Sequence, residues 1–296
     1  MQVQSEHINI NGASLYVTQM GTSNKEKIIF LHGGPGLGDS RADQVTFAPL
    51  ADQYHVTFID LRGCGKSSDT PPFTHAQWVE DIETLRKTLG FTKFALHGSS
   101  YGGFLVQEYA AKYPENVSHI ALNVTCPDGT NDLKAIENAK QSDRCHLSDK
   151  ELERLFQGEV MNNEDFRYLY AGIQPLYMVT ADKERDEEKL NQIMFHYQTH
   201  NEAFRNLKNF DMKPVLGRLN MPALITAGEK DWITPPLYSE QIHELMPSSA
   251  YVLFKDYGHS LVREQSVIYL ELLRRFLSNR IEARKEKYEV IGGEIL

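Results

Sequence analysis

The sequence predicts an α/β fold, with a mostly parallel central sheet, helices on both faces and an inserted helical segment. Three observations carry that expectation. Continuous apolar runs at residues 28–32 and 56–61 are bounded by Gly-rich turns, the pattern of strands buried on both faces of a sheet. Longer amphipathic runs alternate with such strands at both ends of the chain, the rhythm of parallel strands joined by helices. Between Cys126 and about Pro214 the rhythm stops, strands vanish and charged helical segments take over.

Taken in order, residues 7–10 and 15–20 read as a hairpin turned at Asn11-Gly12. The strands at 28–32 and 56–61 follow. Residues 74–89 read as a helix: Thr74 caps it, Trp78, Ile82, Leu85 and Leu89 recur at three and four, and Gly90 ends it. A strand at 93–96, a helix at 101–112 closed before Pro114, and a strand at 117–124 complete the first half. The insertion carries helices at 149–156 and 182–200. Its charge run at 183–189 reads as a solvated helix face, while its aromatic residues pack on the main domain or line a pocket. Beyond it come a strand at 223–227 with a helix at 237–246, then a strand at 251–255 with a helix from Ser266. That last helix is expected to run into residues 284–287, leaving 290–296 as a loosely held tail. The core is thus assigned to 1–125 and 214–296 and the insertion to 126–213.

Composition excludes several function classes. The 31 Lys and Arg against 40 Asp and Glu give a net charge of −9, which repels phosphate backbones and anionic lipid, so neither nucleic acid nor membrane is an expected partner. Three cysteines, Cys64, Cys126 and Cys145, lack paired spacing and imply free thiols, with no disulfide framework and no zinc site. No run approaches 18 apolar residues, and the start has neither a basic nor an apolar leader region, so a cytoplasmic protein is expected. Oligomeric state leaves no pattern.

The chemistry concentrates at Gly98-Ser99-Ser100-Tyr101-Gly102, a G-x-S-x-G between a predicted strand and a predicted helix. A serine on so tight a turn projects its hydroxyl above the sheet, and the flanking glycines let strand and helix approach. Only Ser100 occupies the centre. A serine needs a base and the base an orienting acid. Asp231 and His259 each sit just past a predicted strand, in the chain order Ser, Asp, His. Asp128, also beyond a strand, is an alternative acid; Asp256 is read as a turn residue, and His32 and His97 as structural. The loop His32-Gly33-Gly34-Pro35-Gly36 can aim an N–H at a developing oxyanion, so the backbone N–H groups of Gly34 and Tyr101 are the expected donors. No metal or cofactor is expected.

These blocks, with Asp60-Leu61-Arg62-Gly63-Cys64-Gly65-Lys66-Ser67, resemble the α/β-hydrolase superfamily and, within it, the proline iminopeptidase-like group of serine peptidases. The likeness spans nearly the whole chain outside the insertion, which corresponds to that family's cap, or lid. It implies an α/β-hydrolase fold and an acyl-enzyme mechanism that removes N-terminal residues from small peptides, with a carboxylesterase acting on small esters as the alternative. A slow or non-catalytic ligand-binding module on the same fold is a reading of another class. In this block Asp60 and Arg62 are read as structural. The chain departs from the family's pattern in two places. It has no Gly-Pro-Asn-Glu-Phe block in the insertion, and Trp232 stands where an acid often follows the aspartate. Trp232 is therefore a candidate pocket wall, and Glu164, Asp165, Glu202 and Glu229 are candidates to meet a substrate amine.

Overall fold

The computed structural model describes residues 3–180, 182–283, 285–292 and 294–295. The first half runs β1 (Val3–Ile10), β2 (Ala13–Met20), β3 (Lys27–Leu31), α1 (Arg41–Phe47), β4 (His55–Ile59), α2 (His75–Thr88), β5 (Phe94–Ser99), α3 (Tyr101–Lys112) and β6 (Val117–Asn123). Among the described residues six α-helices follow without a strand: α4 (Asn131–Lys140), α5 (Asp149–Gln157), α6 (Asn163–Ile173), α7 (Lys183–Gln192), α8 (Tyr197–Leu207) and α9 (Lys213–Leu216). The chain then returns through β7 (Ala223–Gly228), α10 (Pro236–Leu245), β8 (Ser249–Phe254), α11 (Leu261–Glu264), α12 (Ser266–Leu277), β9 (Glu286–Ile291) and β10 (Glu294–Ile295).

Among the described residues the ten strands join one sheet in the order β1-β2-β4-β3-β5-β6-β7-β8-β9-β10. The run from β4 to β9 is parallel, and the antiparallel pairs lie at its two sides. Side-chain alternation divides the strand residues between two cores. Ile29 and Leu31 of β3 and Ile225 of β7 face the cluster built with α2, α3 and α10. Their neighbours Ile28, Phe30 and Leu224 face the one built with α1 and α12. Both faces are therefore dry, which is why these strands read as continuous apolar runs; each fully buried Ile, Leu or Phe contributes about 1.5–3 kcal/mol. A third cluster, centred on Leu152, Phe166 and Leu169, belongs to helices α4 to α6, and the sheet side lends it Trp232.

Asp60 and Arg62 act within the turn after β4. Asp60 accepts from Ser40 N, Ser40 Oγ and Lys66 N at 2.6–2.9 Å. Arg62 forms a two-pronged pair with Asp81 at 2.7 and 2.8 Å, fully buried, and also donates to the carbonyls of Ile10, Asn11 and Thr70. Losing one partner of such a pair costs about 3–5 kcal/mol.

Two elements differ from the sequence expectation. The helix expected over 182–200 is broken: α7 ends at Gln192 and α8 begins at Tyr197. In the extended link, His196 N donates to the Gly36 carbonyl at 2.7 Å, while Ile193 and Phe195 pack against the third cluster. A tertiary hydrogen bond and two apolar anchors win over helix continuation. The charge run on α7 buries no residue fully, in keeping with a solvated face.

The larger correction concerns the C-terminus. The last long helix ends at Leu277, and residues 286–291 are not helix or loose tail but strand β9, paired in parallel with β8 from Ala250↔Glu286 to Phe254↔Val290. Val290 is completely buried and Tyr288 packs beside it on the α12 face. Only these two residues alternate inward among charges, too short a pattern to stand out in sequence. Arg284, Gly293 and Leu296, which the expectation included, lie outside the described residues. Truncation after Ser278 removes β9 and uncovers the edge of β8, and a melting temperature lowered by several degrees, or aggregation on heating, is the expected outcome. An unchanged melting temperature would show that the strand contributes nothing.

Candidate active site

The turn from β5 into α3 places Ser100 at φ 53°, ψ −120°, a left-handed conformation unusual for a residue with a β-carbon. Its N–H donates to the Asn123 carbonyl at 2.8 Å, and its own carbonyl accepts from Thr125 Oγ1 at 2.8 Å and Gly103 N at 2.9 Å. Two glycines make the turn possible by close approach. A β-carbon at Gly98 would strike the Gly102 carbonyl, and one at Gly102 would strike the carbonyl oxygens of Leu31 and His32.

His259 and Asp231 follow the ends of β8 and β7 at the same edge of the sheet. His259 Nδ1 lies 2.8 Å from Asp231 Oδ2. Asp231 Oδ1 accepts from the N–H groups of Ile233 and Thr234, both at 2.9 Å, so the carboxylate is held by its own loop. Thr234 Oγ1 stands 2.8 Å from Asp231 Oδ2 and 2.9 Å from the Val124 carbonyl; its single proton serves one of them at a time. Both His259 and Asp231 are buried, and the Tyr177 ring meets the His259 ring edge-on at 5.4 Å.

Ser100 and His259 line one cavity of about 430 Å³. Phe104, Leu155, Phe156, Phe166, Ile173 and Phe204 contribute to its apolar wall, four of them from α5 and α6. Gly34 and Tyr101 line it as well, and among the described residues no group of the chain accepts from either backbone N–H. Gly34 takes φ +65°, and its carbonyl turns away to accept from Leu37 N and Gly38 N. His32 fixes the base of this loop: Leu61 N donates to its Nε2 at 3.1 Å, which leaves Nδ1 to donate to the Gly33 carbonyl at 2.9 Å. Among the described residues no group of three or more His, Cys, Asp or Glu is placed to hold a metal ion.

The other sequence candidates fall elsewhere. Asp128 is paired with Lys213 and accepts from Thr130, with no bond to His259. Asp256 faces solvent, paired with Lys230 rather than with turn backbone. His97 is sealed beside Tyr269 at 2.8 Å, and burial pulls its imidazole down to about 3, so it stays neutral. Trp232 does not line the cavity; it stands one layer behind, against Phe156 and Tyr177, because its side chain completes the third cluster. None of the four acids proposed to meet an amine reaches the cavity: Asp165 pairs with Arg154, Glu202 with Arg205 and Glu229 with Lys255, and Glu164 is exposed.

Sequence reasoning missed three carboxyls that line the cavity: Asp39, paired with Arg41, Asp43 on α1 and Asp132 on α4. Burial pushes Asp43 up to about 6 and Asp132 up to about 7. The available signal was positional, since α4 starts just beyond β6, at the same sheet edge as Ser100.

A serine on a strand–helix elbow of a mostly parallel sheet, with a histidine–aspartate pair on the loops of later strands, defines a class of hydrolytic enzymes. The family model for the alpha/beta hydrolase fold matches residues 27–264, and the chain belongs to that family. Within it the chain is proline iminopeptidase-like. It is 31% identical over 277 residues to proline iminopeptidase PfmaB of Pestalotiopsis fici, covering 92% of this chain and 99% of that one. It is 27% identical over 295 residues to a proline iminopeptidase of Lactobacillus crispatus, covering 94% and 99%. Among solved structures, an esterase from Exiguobacterium antarcticum superposes with a TM-score of 0.76 at 19% identity, covering 93% of this chain and all of that one. A meta-cleavage product hydrolase from Pseudomonas fluorescens superposes with 0.72, also at 19%, over 94% and 98%. These two likenesses concern the fold. The protein is a hydrolase, and no helix among the described residues is long and apolar enough to cross a membrane.

The raised carboxyls have a thermodynamic consequence. A carboxyl raised in the folded state costs nothing below its unfolded pKa of about 4, and lowers stability progressively as pH rises toward the folded value. For Asp132 that window is about 4 to 7 and for Asp43 about 4 to 6. Asp132→Asn is expected to melt higher than wild type by about 2 °C or more at pH 8, with the gain shrinking toward zero at pH 4.5. A gain equal at both pH values contradicts the assignment.

Proposed function

We propose that the protein is a serine hydrolase acting through an acyl-enzyme, and that its substrates are short peptides from which it removes the N-terminal residue, proline in particular. The observation that supports this most is the 2.8 Å contact between His259 and a buried Asp231, at the rim of the cavity that Ser100 also lines. In this reading His259 Nε2 takes the Ser100 hydroxyl proton as Oγ attacks the scissile carbonyl, and Asp231 holds the imidazole in the tautomer that leaves Nε2 free. The N–H groups of Gly34 and Tyr101 stabilise the oxyanion. His259 then gives its proton to the leaving amine, and a water molecule, activated by the same imidazole, releases the acyl group. Helices α4 to α8 would act as the cap that roofs the cavity and limits the length of chain admitted. The peptidase assignment draws on the two relatives described as proline iminopeptidases.

A second reading, hydrolysis of small esters, draws on the aromatic lining of the cavity and on Trp232 standing next to Asp231. The two divide on one comparison, turnover of L-proline 4-nitroanilide against short-chain p-nitrophenyl esters. The expected outcome is anilide turnover exceeding ester turnover in kcat/KM; the reverse order assigns the protein to the esterases. A fluorophosphonate is expected to label wild type and not Ser100→Ala, and Asp231→Asn is expected to lose about 10⁴ in kcat. A folded protein that binds ligand yet neither labels nor turns over would be a binding module.

A further inference from the structure

We propose that Lys189, with the phenols of Tyr170 and Tyr177 and with Arg263 beside them, forms a subsite for the C-terminal carboxylate of a dipeptide substrate; the proposal rests on the peptidase reading above and names its substrate class. Lys189, Tyr170, Tyr177 and Arg263 all line the cavity that Ser100 opens into. Tyr177, Lys189 and Arg263 also line a second cavity of about 400 Å³, so the two spaces share a wall. The Tyr170 and Tyr177 rings stand 5.8 Å apart, and Lys189 Nζ lies 5.7 Å from each ring centroid. Cation–π attraction of this kind holds an ammonium in place without using its hydrogen-bond donors. Among the described residues no carboxylate pairs with Lys189 or Arg263, and neither phenol oxygen has a hydrogen-bond partner. The two phenols differ from that of Tyr251, whose oxygen is sealed from solvent as well as unpartnered. Tyr170 is 1% exposed, so the open space that its hydroxyl reaches is the cavity.

A cluster of donors without acceptors defines an anionic ligand. The carboxylates of the neighbourhood are engaged elsewhere: Asp186 pairs with Arg185, Glu264 accepts from Val179 N and Gly258 N at 2.9 and 3.3 Å, and Glu188 accepts from Gln192 at 3.4 Å. His259 fixes which end of the substrate arrives here. Its ring meets that of Tyr177 at 5.4 Å, and in the mechanism above the imidazole gives its proton to the leaving amine, so the leaving residue lies on the Tyr177 side. Arg263 stands on α11, which begins two residues after His259. In a dipeptide the leaving residue ends in a carboxylate two bonds beyond the scissile nitrogen, and its oxygens accept charge-assisted hydrogen bonds from ammonium, guanidinium and phenol donors. A longer peptide brings a neutral amide to the same place, so the subsite favours dipeptides. The wall built by Phe104 and Phe204 carries no such donor. Arg41 is the natural comparison: it also lines the cavity, but Asp39 and the Gln192 carbonyl already hold its guanidinium.

The test uses the full chain and compares L-prolylglycine with L-prolylglycinamide, which differ in the terminal carboxylate. Wild type is expected to favour the acid by about tenfold or more in kcat/KM, the scale of a charge-assisted contact. That ratio should fall about fivefold or more in Lys189→Met, and by a smaller factor in Arg263→Gln and in Tyr170→Phe, which keeps the ring and loses the hydroxyl. Arg41→Gln, which removes the same charge from the cavity wall, is expected to keep the wild-type ratio. Peptide turnover in wild type with a ratio near unity, a ratio unchanged in Lys189→Met, or one lowered equally in Arg41→Gln overturns the subsite and leaves the peptidase reading standing. Absence of turnover of both peptides removes the peptidase reading, and the subsite is then read from 4-carboxyphenyl acetate against 4-carbamoylphenyl acetate. A ratio for these esters that falls in Lys189→Met keeps an anion subsite on the leaving side; one that does not fall removes it.

Discussion

The backbone of Ser100 is held where an ordinary residue does not rest, and the middle of the molecule is arranged around keeping it there. At φ 53°, ψ −120° such a residue costs about 1–3 kcal/mol. The offsetting contacts come from three directions: β6 accepts its N–H, Thr125 donates to its carbonyl, and α3 begins immediately after it. Gly98 and Gly102 let the helix lie against the strand and against the carbonyls that end β3. Because β3, β5, β6, β7 and β8 are neighbouring parallel strands, their C-terminal ends open on one edge, and the residues after each fall around the same hydroxyl.

Stability and the cavity pull in opposite directions. The sheet is covered by two dry cores, and the third cluster holds the inserted helices together with Trp232 drawn from the loop after Asp231. Against that apolar background, Asp43, Asn131 and Asp132, residues of the cavity lining, each keep a polar oxygen buried and unpartnered. Their presence is the kind of local conflict that accompanies a binding surface.

Much of the fold was legible because its rules are local or periodic. The dry faces of β3 and β4 made them continuous apolar runs, Thr74 and Gly90 bracketed α2 as caps do, and the elbow glycines announced a close strand–helix turn. Where the sequence misled, a distant contact decided. Glu286 to Ile291 became a strand because β8 offered an open edge and the α12 face a place for Val290, neither visible in a run rich in Lys and Glu. The link at 193–196 is extended because the Gly36 carbonyl receives His196. Trp232 looked like a pocket wall by its neighbour in sequence, yet its indole found better packing behind Phe156.

The sequence by itself determined the order of the candidate site residues, since a serine on a glycine-flanked turn, an acid and a histidine after successive strands, and a glycine loop after β3 are each written within a few residues. Only the tertiary structure decided what fills and bounds the cavity. Its walls come from α1, α3 and the inserted helices, elements far apart in the chain, and whether a given carboxyl on them faces outward to a lysine or inward to a cavity depends on packing. Glu164, Asp165, Glu202 and Glu229 went outward, three of them to a basic partner; Asp132 lies in the cavity wall with an oxygen unanswered. Side-chain direction on an amphipathic surface helix follows its neighbours, and neighbours are what a linear sequence leaves out.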